Sequence, residues 1–382
     1  MSAPRHIGVV AVGGTGWMGG ANYVRHLAAA VRAASPEVRI SFICGSALRE
    51  DWQDVAPLIS VPTRPSLLQR LPGRGAPLRR ALERHGVEFV YPLTYDNDYN
   101  LGLRFPIGAQ LGATRWAGWL PDFQHRYLPE LFSPEERRRR DVLMSALAAE
   151  ARTIVLSSDS ASQDFRAFFP EHASKATVLT FATTPFDLRA DDAAHSPPRF
   201  FLVCNQFWKH KNHLAIFDAL RLLRGRNVRP IVLCTGQLDD YRDRAFAETI
   251  RTALHDGDLG EQVKLLGLIP RAEQVALMRQ AIAIIQPSLF EGWSTVVEDA
   301  RALGRPCLLS DLAVHREQGP PGARFFPPRE PEALAELMAE AWEHWPAGPD
   351  REREASATEA AKARLAQVGR RFLEVVEMRN DL

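Results

Sequence analysis

The stretch Ala281-Ile-Ala-Ile-Ile-Gln-Pro-Ser-Leu-Phe-Glu-Gly-Trp-Ser-Thr-Val-Val-Glu-Asp-Ala-Arg-Ala-Leu-Gly-Arg-Pro-Cys-Leu-Leu309 decides the fold class. Ala281–Ile285 and Pro306–Leu309 are short, nearly unbroken apolar runs, the pattern of strands covered on both faces. Between them a loop rich in Gly and hydroxyls opens into an amphipathic helix, Val296–Leu303. Strand, helix and second buried strand make a βαβ unit, which only a parallel sheet accommodates. The same alternation extends upstream through strand Phe200–Cys204, helix Asn212–Leu223, strand Ile231–Thr235, helix Tyr241–Leu254, strand Val263–Leu266 and helix Arg271–Gln280. In the first half it continues, with strands at His6–Val12, Val38–Cys44, Val87–Tyr91, Thr114–Trp119, Thr153–Leu156 and Thr177–Phe181. Ser133, followed by Pro134 and Glu135-Glu136, begins a helix there. Phe186–Arg199 is polar, aperiodic and contains proline. It divides the chain into two doubly wound α/β domains, residues 1–190 and 191–359. The charged tail from Gly348 predicts two helices, the last from about Glu359 with Leu365, Val368 and Phe372 on a buried face. That helix, about residues 360–382, is expected to pack back on the first domain.

The chain has 382 residues, 47 of them Lys or Arg against 46 Asp or Glu, and 46% are apolar. Near-neutral charge argues against a nucleic-acid binder, and the apolar content excludes disorder. No apolar run approaches the ~20 residues that span a bilayer. His6–Val12 lacks a basic leader and runs into Gly13-Gly14, so it reads as a strand and not as a signal peptide. The four cysteines lie far apart without zinc-ligand spacing, which predicts buried reduced thiols in a cytosolic protein. Only five basic residues are Lys, and two of these, Lys209 and Lys211, stand two positions apart.

Three loops carry chemistry. Gly14-Thr-Gly-Trp-Met-Gly19 is a GxGxxG between strand and helix, but the second strand ends in Ile43-Cys44-Gly45-Ser46 without the acidic residue of dinucleotide binders. A nicotinamide-dependent oxidoreductase and a tight turn that lets the backbone approach something closely are its two readings. Strand Phe200–Cys204 ends in Asn205-Gln206-Phe207-Trp208-Lys209-His210-Lys211-Asn212, ahead of a helix. Two ammonium groups at a parallel strand's carboxyl end suit a diphosphate, while a solvated basic loop is the plainer reading. Glu291 closes a third strand ahead of Gly292 and the hydroxyls of Ser294 and Thr295. A carboxylate there is suited to the hydroxyls of a sugar or ribose. Dipole stabilisation of a helix start accounts for Glu298 and Asp299 but not for Glu291, upstream of the glycine.

With these residues in view, the chain resembles the family 4 retaining glycosyltransferases of GT-B fold. Ser288–Ser310 resembles their E-x7-E signature, Val263-Lys-Leu-Leu-Gly-Leu-Ile-Pro270 their LG-x-x-P loop, Lys211-Asn212 their donor-phosphate lysine, and Gly19-Gly20-Ala21 their N-terminal glycine loop. The resemblance implies two Rossmann-like domains facing across a cleft. It assigns Glu291 to the donor sugar, Lys211 to the diphosphate, and the second acid, on the ribose, to Asp299, with Glu298 adjacent and the choice open. Gly19, Gly20, Gly267, Ile269, Gly292, Trp293, Ser294 and Thr295 would line the donor. Gln206 stands where the family has an arginine, a lost cation that Lys209 would replace. His125, in Trp119-Leu-Pro-Asp-Phe-Gln-His125, resembles the family's active-site histidine, with Asp122 and Gln124 beside it on the acceptor side; a histidine closing a loop is the alternative. Arg137–Arg140 would touch a membrane surface or an anionic lipid-linked acceptor, or form a solvated helix face.

The implied reaction moves a sugar from a nucleotide-diphosphate donor to a glycan or lipid-linked hydroxyl, as in cell-surface polysaccharide synthesis. It would take place in the cytoplasm, at the inner face of the membrane. No metal or cofactor is expected: the nearest thing to an Asp-x-Asp clamp, Asp96-Asn97-Asp98, reads as a turn. Besides the oxidoreductase, a non-catalytic nucleotide-sugar binder of the same fold is the rival reading.

Overall fold

The computed structural model describes residues 5–13, 17–46, 49–52, 54, 57–62, 77–96, 101–188, 197–238, 240, 242–243 and 245–378. Gly14 and Gly16 of the glycine loop, Asn97-Asp98 and most of the Phe186–Arg199 break lie outside them. The chain forms two compact units. Unit 1 takes in the described residues up to Phe123, Ser133–Thr184 and those from Ala363 onward; unit 2 comprises Gln124–Phe132 and Pro185–Lys362. The segment Gln124–Phe132, which the sequence places in the N-terminal half, therefore groups with unit 2.

Unit 1 is built on strands β1 His6–Val10, β2 Arg39–Gly45, β3 Leu58–Val61, β4 Phe89–Leu93, β5 Arg115–Leu120, β6 Ile154–Leu156 and β7 Ala176–Val178. They form one parallel sheet in the order β3-β2-β1-β4-β5-β6-β7. The order reverses at β1, which is the switch point of a doubly wound sheet. Helix Pro134–Glu150 starts where the sequence places it: the Ser133 hydroxyl accepts from the Glu136 amide at 3.1 Å. Within its basic run Arg138 pairs with Glu135, Arg139 with Asp96 and Arg140 with Glu136.

Unit 2 holds β8 Phe201–Cys204, β9 Val232–Thr235, β10 Val263–Gly267, β11 Ile284–Gln286, β12 Cys307–Ser310 and β13 Arg324–Phe326, parallel in the order β10-β9-β8-β11-β12-β13. Phe201 and Val203 pack in one core with Ile216, Phe217 and Leu220, while Leu202 and Cys204 pack in a second with Met278, Val297 and Ala300. Burying both faces hides the two-residue period of a strand, so these strands read as continuous apolar runs.

The tail is one helix, Arg351–Glu377, and not two. Asp350 caps its start by accepting from the Arg353 amide at 3.1 Å, and no proline interrupts it. Its interior glycine, Gly369, is needed for close packing, because a Cβ there would run into the Ala30 carbonyl. At the unit 2 end, the helix is held by a buried, two-pronged ion pair between Arg279 and Glu354 at 2.8 and 3.1 Å. The four cysteines are free and buried. Among the described residues no helix is long and apolar enough to cross a membrane.

Candidate functional site

The carboxyl ends of β8 and β11, adjacent strands at the switch point of unit 2, bring Lys211 and Glu291 together. Past β8 the chain makes a short turn, Lys209–Lys211, closed by the Lys211 amide on the Trp208 carbonyl at 2.8 Å. Asn212 takes the left-handed conformation (φ 56°) before helix His213–Gly225, and its side-chain amide donates to the carbonyls of Pro287 (3.1 Å) and Pro328 (2.8 Å). Asparagine tolerates that conformation and supplies the donors that lock it. A backbone bond from the Leu289 amide to the His210 carbonyl (2.7 Å) ties the lysine loop to the glutamate loop.

Glu291 is held through one oxygen. Its Oε1 accepts from Lys211 Nζ (2.6 Å), Gln286 Nε2 (2.9 Å) and Ser288 Oγ (2.6 Å). Among the described residues Oε2 has no hydrogen-bond partner. Burial pushes the carboxyl up, but the Lys211 charge and these bonds more than offset it, leaving Glu291 below the usual glutamate range and ionised. With the lysine and glutamate side chains only 15% and 8% exposed, the pair is shielded from solvent screening.

Further polar side chains, absent from the sequence reading, orient these groups. Asn205 donates to Gln286 Oε1 at 2.8 Å, which turns the Gln286 amide nitrogen toward Glu291. Ser310 donates to the Ser288 carbonyl (2.6 Å), and His315 Nδ1 in turn donates to the Ser310 carbonyl (2.8 Å). Burial lowers the His315 pKa, so the ring is neutral. Polar residues at the carboxyl ends of otherwise apolar strands were the available signal for Asn205, Gln286 and Ser310.

The two candidate ribose acids are both buried and differ in their partners. Glu298 turns inward, accepting from Gln318 Nε2 at 3.1 Å, and Gln318 brackets the Ser294 backbone through bonds to its amide (3.2 Å) and carbonyl (2.9 Å). Ser294 caps helix Thr295–Ala302. Asp299 instead pairs at 2.7 Å with Arg271, the residue after the Gly267-Leu268-Ile269-Pro270 loop. In the same region Gly292 and Thr295 are half-buried and Trp293 is buried.

Gln206 and Lys209 have local partners. The Gln206 side-chain oxygen accepts from the Gln237 amide at 2.7 Å. The Lys209 ammonium pairs with Asp243, while its backbone amide donates to Asp240. Gly236 (φ +119°) makes this junction possible: its amide donates to Gly267 (2.8 Å), and an added Cβ would lie 2.6 Å from the Asn205 carbonyl carbon. Gly236→Ala is therefore expected to cost about 1–3 kcal/mol from backbone strain alone. Calorimetric melting checks the stability, and a nucleotide titration reads the accompanying displacement of the Asn205 loop.

In unit 1, Gly19 and Gly20 begin helix Met18–Ala34 beneath Trp17. A Cβ on Gly20 would meet the indole at 2.7 Å, so the missing side chain serves the ring that lies over it. Trp17 stacks on Trp119 at 5.9 Å, and Trp119 on Tyr23 at 4.5 Å. Asp122 belongs to this unit, whereas Gln124 and His125 are buried in unit 2. His125 packs edge-on against Phe132, and Gln124 accepts from Arg242 at 3.1 Å.

Residues 186–364 match the family described as glycosyl transferases group 1. The amylovoran biosynthesis glycosyltransferase AmsK of Erwinia amylovora is 30% identical over 149 residues, 36% of this chain and 34% of that protein. The aligned stretch thus spans about a third of the curated relative. Among solved structures, sucrose-phosphate synthase from Thermosynechococcus elongatus superposes with TM-score 0.71 at 16% identity, covering 97% of this chain and 100% of that one. Anabaena HepE in complex with UDP and glucose gives 0.65 at 17% identity, covering 97% and 99%. The lipopolysaccharide outer core galactosyltransferase WaaB gives 0.58 at 15% identity, covering 98% and 100%. At such identities these three likenesses carry the fold. The family match thus lies in residues 186–364, a little under half of the chain, and the fold of the whole chain is the GT-B fold of these solved structures.

Proposed function

We propose that the protein transfers a sugar, with retention of configuration, from a nucleoside-diphosphate donor to a hydroxyl of a glycan or lipid-linked acceptor. The observation that carries this reading is the Glu291 carboxylate, anchored through Oε1 on Lys211 and open at Oε2. A fixed carboxylate oxygen suits the hydroxyls of a sugar, and an ammonium beside it suits the charge that develops on a departing diphosphate. The reading gives no carboxylate among the candidate residues the part of a nucleophile: as the bond from the sugar to the diphosphate breaks, the acceptor oxygen bonds to the sugar on the face from which the diphosphate departs, and its proton passes to the leaving phosphate oxygen. Lys211 and loop amides supply the electrostatic stabilisation, and the reading assigns no metal or cofactor. HepE, solved with UDP and with UDP-glucose, makes uridine donors the first to try, and AmsK, named for amylovoran biosynthesis, supports a role in surface polysaccharide assembly. That role would place the enzyme in the cytoplasm at the inner membrane face, with His125 and Asp122 on the acceptor side.

A thermal-shift panel of UDP, GDP, ADP, dTDP and their sugars tests the reading. A ligand at 100-fold over its Kd stabilises by ~2.7 kcal/mol. Silence across the panel would sink it. The acids divide the work: Asp299 grips the ribose, and Glu298 holds the Ser294 loop through Gln318. Asp299→Asn is accordingly expected to weaken nucleoside-diphosphate binding roughly tenfold, the worth of one charge-assisted hydrogen bond. Glu298→Gln is expected to lower the melting temperature with a smaller change in affinity. Isothermal titration and calorimetry on both variants separate the roles.

A further inference from the structure

Arg242 stands outside every motif in the sequence, yet it is the hub between three loops of unit 2. Its backbone amide and Nε both donate to Asp240 Oδ1, at 3.0 and 3.2 Å, and the other oxygen of that buried carboxylate accepts from the Lys209 amide at 3.1 Å. One guanidinium nitrogen donates to His210 Nδ1 at 3.2 Å, and another to Gln124 Oε1 at 3.1 Å. The guanidinium also lies against the rings of Trp208 (5.2 Å) and Phe132 (5.6 Å). It thus bonds the turn that carries Lys211 and the segment that carries His125. The far side of that segment has its own attachment: Tyr127 stacks at 5.3 Å on Phe290, the residue before Glu291.

We propose that Arg242 is a positioning residue that fastens the His125 segment, Gln124–Phe132, to the loops carrying Lys211 and Glu291, so that nucleotide binding at those loops orders the acceptor-side histidine. The inference rests on the reading of Lys211 and Glu291 as the donor site. The forked geometry of arginine is essential, since a lysine keeps the charge but cannot bond Asp240, His210 and Gln124 together.

Hydrogen–deuterium exchange of the full chain tests it, with whichever of UDP, GDP, ADP or dTDP raises the melting temperature most. In the wild type the nucleotide is expected to slow exchange in residues 205–213, 286–299 and also 124–132. Arg242→Lys, and Gln124→Leu, which removes a single leg, should keep the protection of the first two segments. Protection of 124–132 should fall at least threefold in both. A purely structural arginine would loosen the segment with and without nucleotide alike, leaving that ratio unchanged. Undiminished protection of 124–132 in both variants, or none there in the wild type, would overturn the proposal. Protection of no segment by any of the four nucleotides would overturn the donor-site reading, and the coupling with it.

Discussion

Lys211→Ala is expected to lower the turnover of sugar transfer by ~10²–10³-fold, the effect of removing one preorganised donor from a developing anion, and by more because this donor is charged. The loss has a second component. Lys211 and Glu291 are a largely buried pair, their side chains 15% and 8% exposed, and removing one member strands the other. Breaking a buried pair typically costs ~3–5 kcal/mol, partly relieved here as Glu291 takes up a proton. A bare comparison of wild type with Lys211→Ala would therefore mix catalysis with stability. The double variant Lys211→Met with Glu291→Gln separates them, since it leaves no unpaired charge. Its melting temperature should return toward that of the wild type while its turnover stays at or below that of the single variant. Single-turnover release of nucleoside diphosphate, measured beside calorimetry, checks both. Turnover within tenfold of wild type in Lys211→Ala would remove the lysine from the mechanism.

Both Lys211 and Glu291 were legible because each stands in the loop that follows the carboxyl end of a strand that announces itself by an apolar run. Their partners were not. Asn205 meets Gln286, and Gln318 meets Ser294 and Glu298, across strands and helices distant in sequence. No local period encodes such meetings. The same division holds for the fold. β3 is an edge strand of four residues between Pro57 and Pro62, and edge position is what makes those prolines tolerable. Their turn chemistry masked its short alternation. β13, also an edge, has three residues before Pro327-Pro328. The helix expected from Tyr241 begins at Phe246, because Asp240 and Asp243 spend their carboxylates on nearby backbone amides ahead of it. Asp competes with the helix in this way wherever its short side chain reaches the main chain. Arg242 went unread for the same reason: its partners come from Gln124, Asp240 and His210.

Glu291→Gln is expected to leave nucleoside-diphosphate affinity nearly unchanged while weakening the nucleotide sugar by ~10–100-fold. That is the span of one charge-assisted hydrogen bond of ~1.5–3 kcal/mol lost to a neutral acceptor. The loss should carry into kcat/KM in full, and exceed it if the sugar hydroxyls bind more tightly as the glycosidic bond opens. Paired titrations with UDP and UDP-glucose, or the equivalent pair for another base, read the sugar's increment directly. Equal losses for the two ligands would refute the sugar-gripping role while leaving the diphosphate site intact. Stability carries an independent signature. The Glu291 carboxyl lies below its ordinary value of 4.5, because Lys211 and its hydrogen bonds outweigh the burial that raises it. A depressed carboxyl stabilises the folded chain above its unfolded pKa, and that contribution fades as pH falls through the folded pKa. The melting temperature of the wild type, compared with Glu291→Gln from pH 7 downward, should therefore lose ground to the variant only below about pH 4.5. A gap that closed near neutrality would mean that Glu291 is protonated in the folded protein. The open oxygen would then be a hydroxyl donor, not the acceptor that a sugar's hydroxyls need.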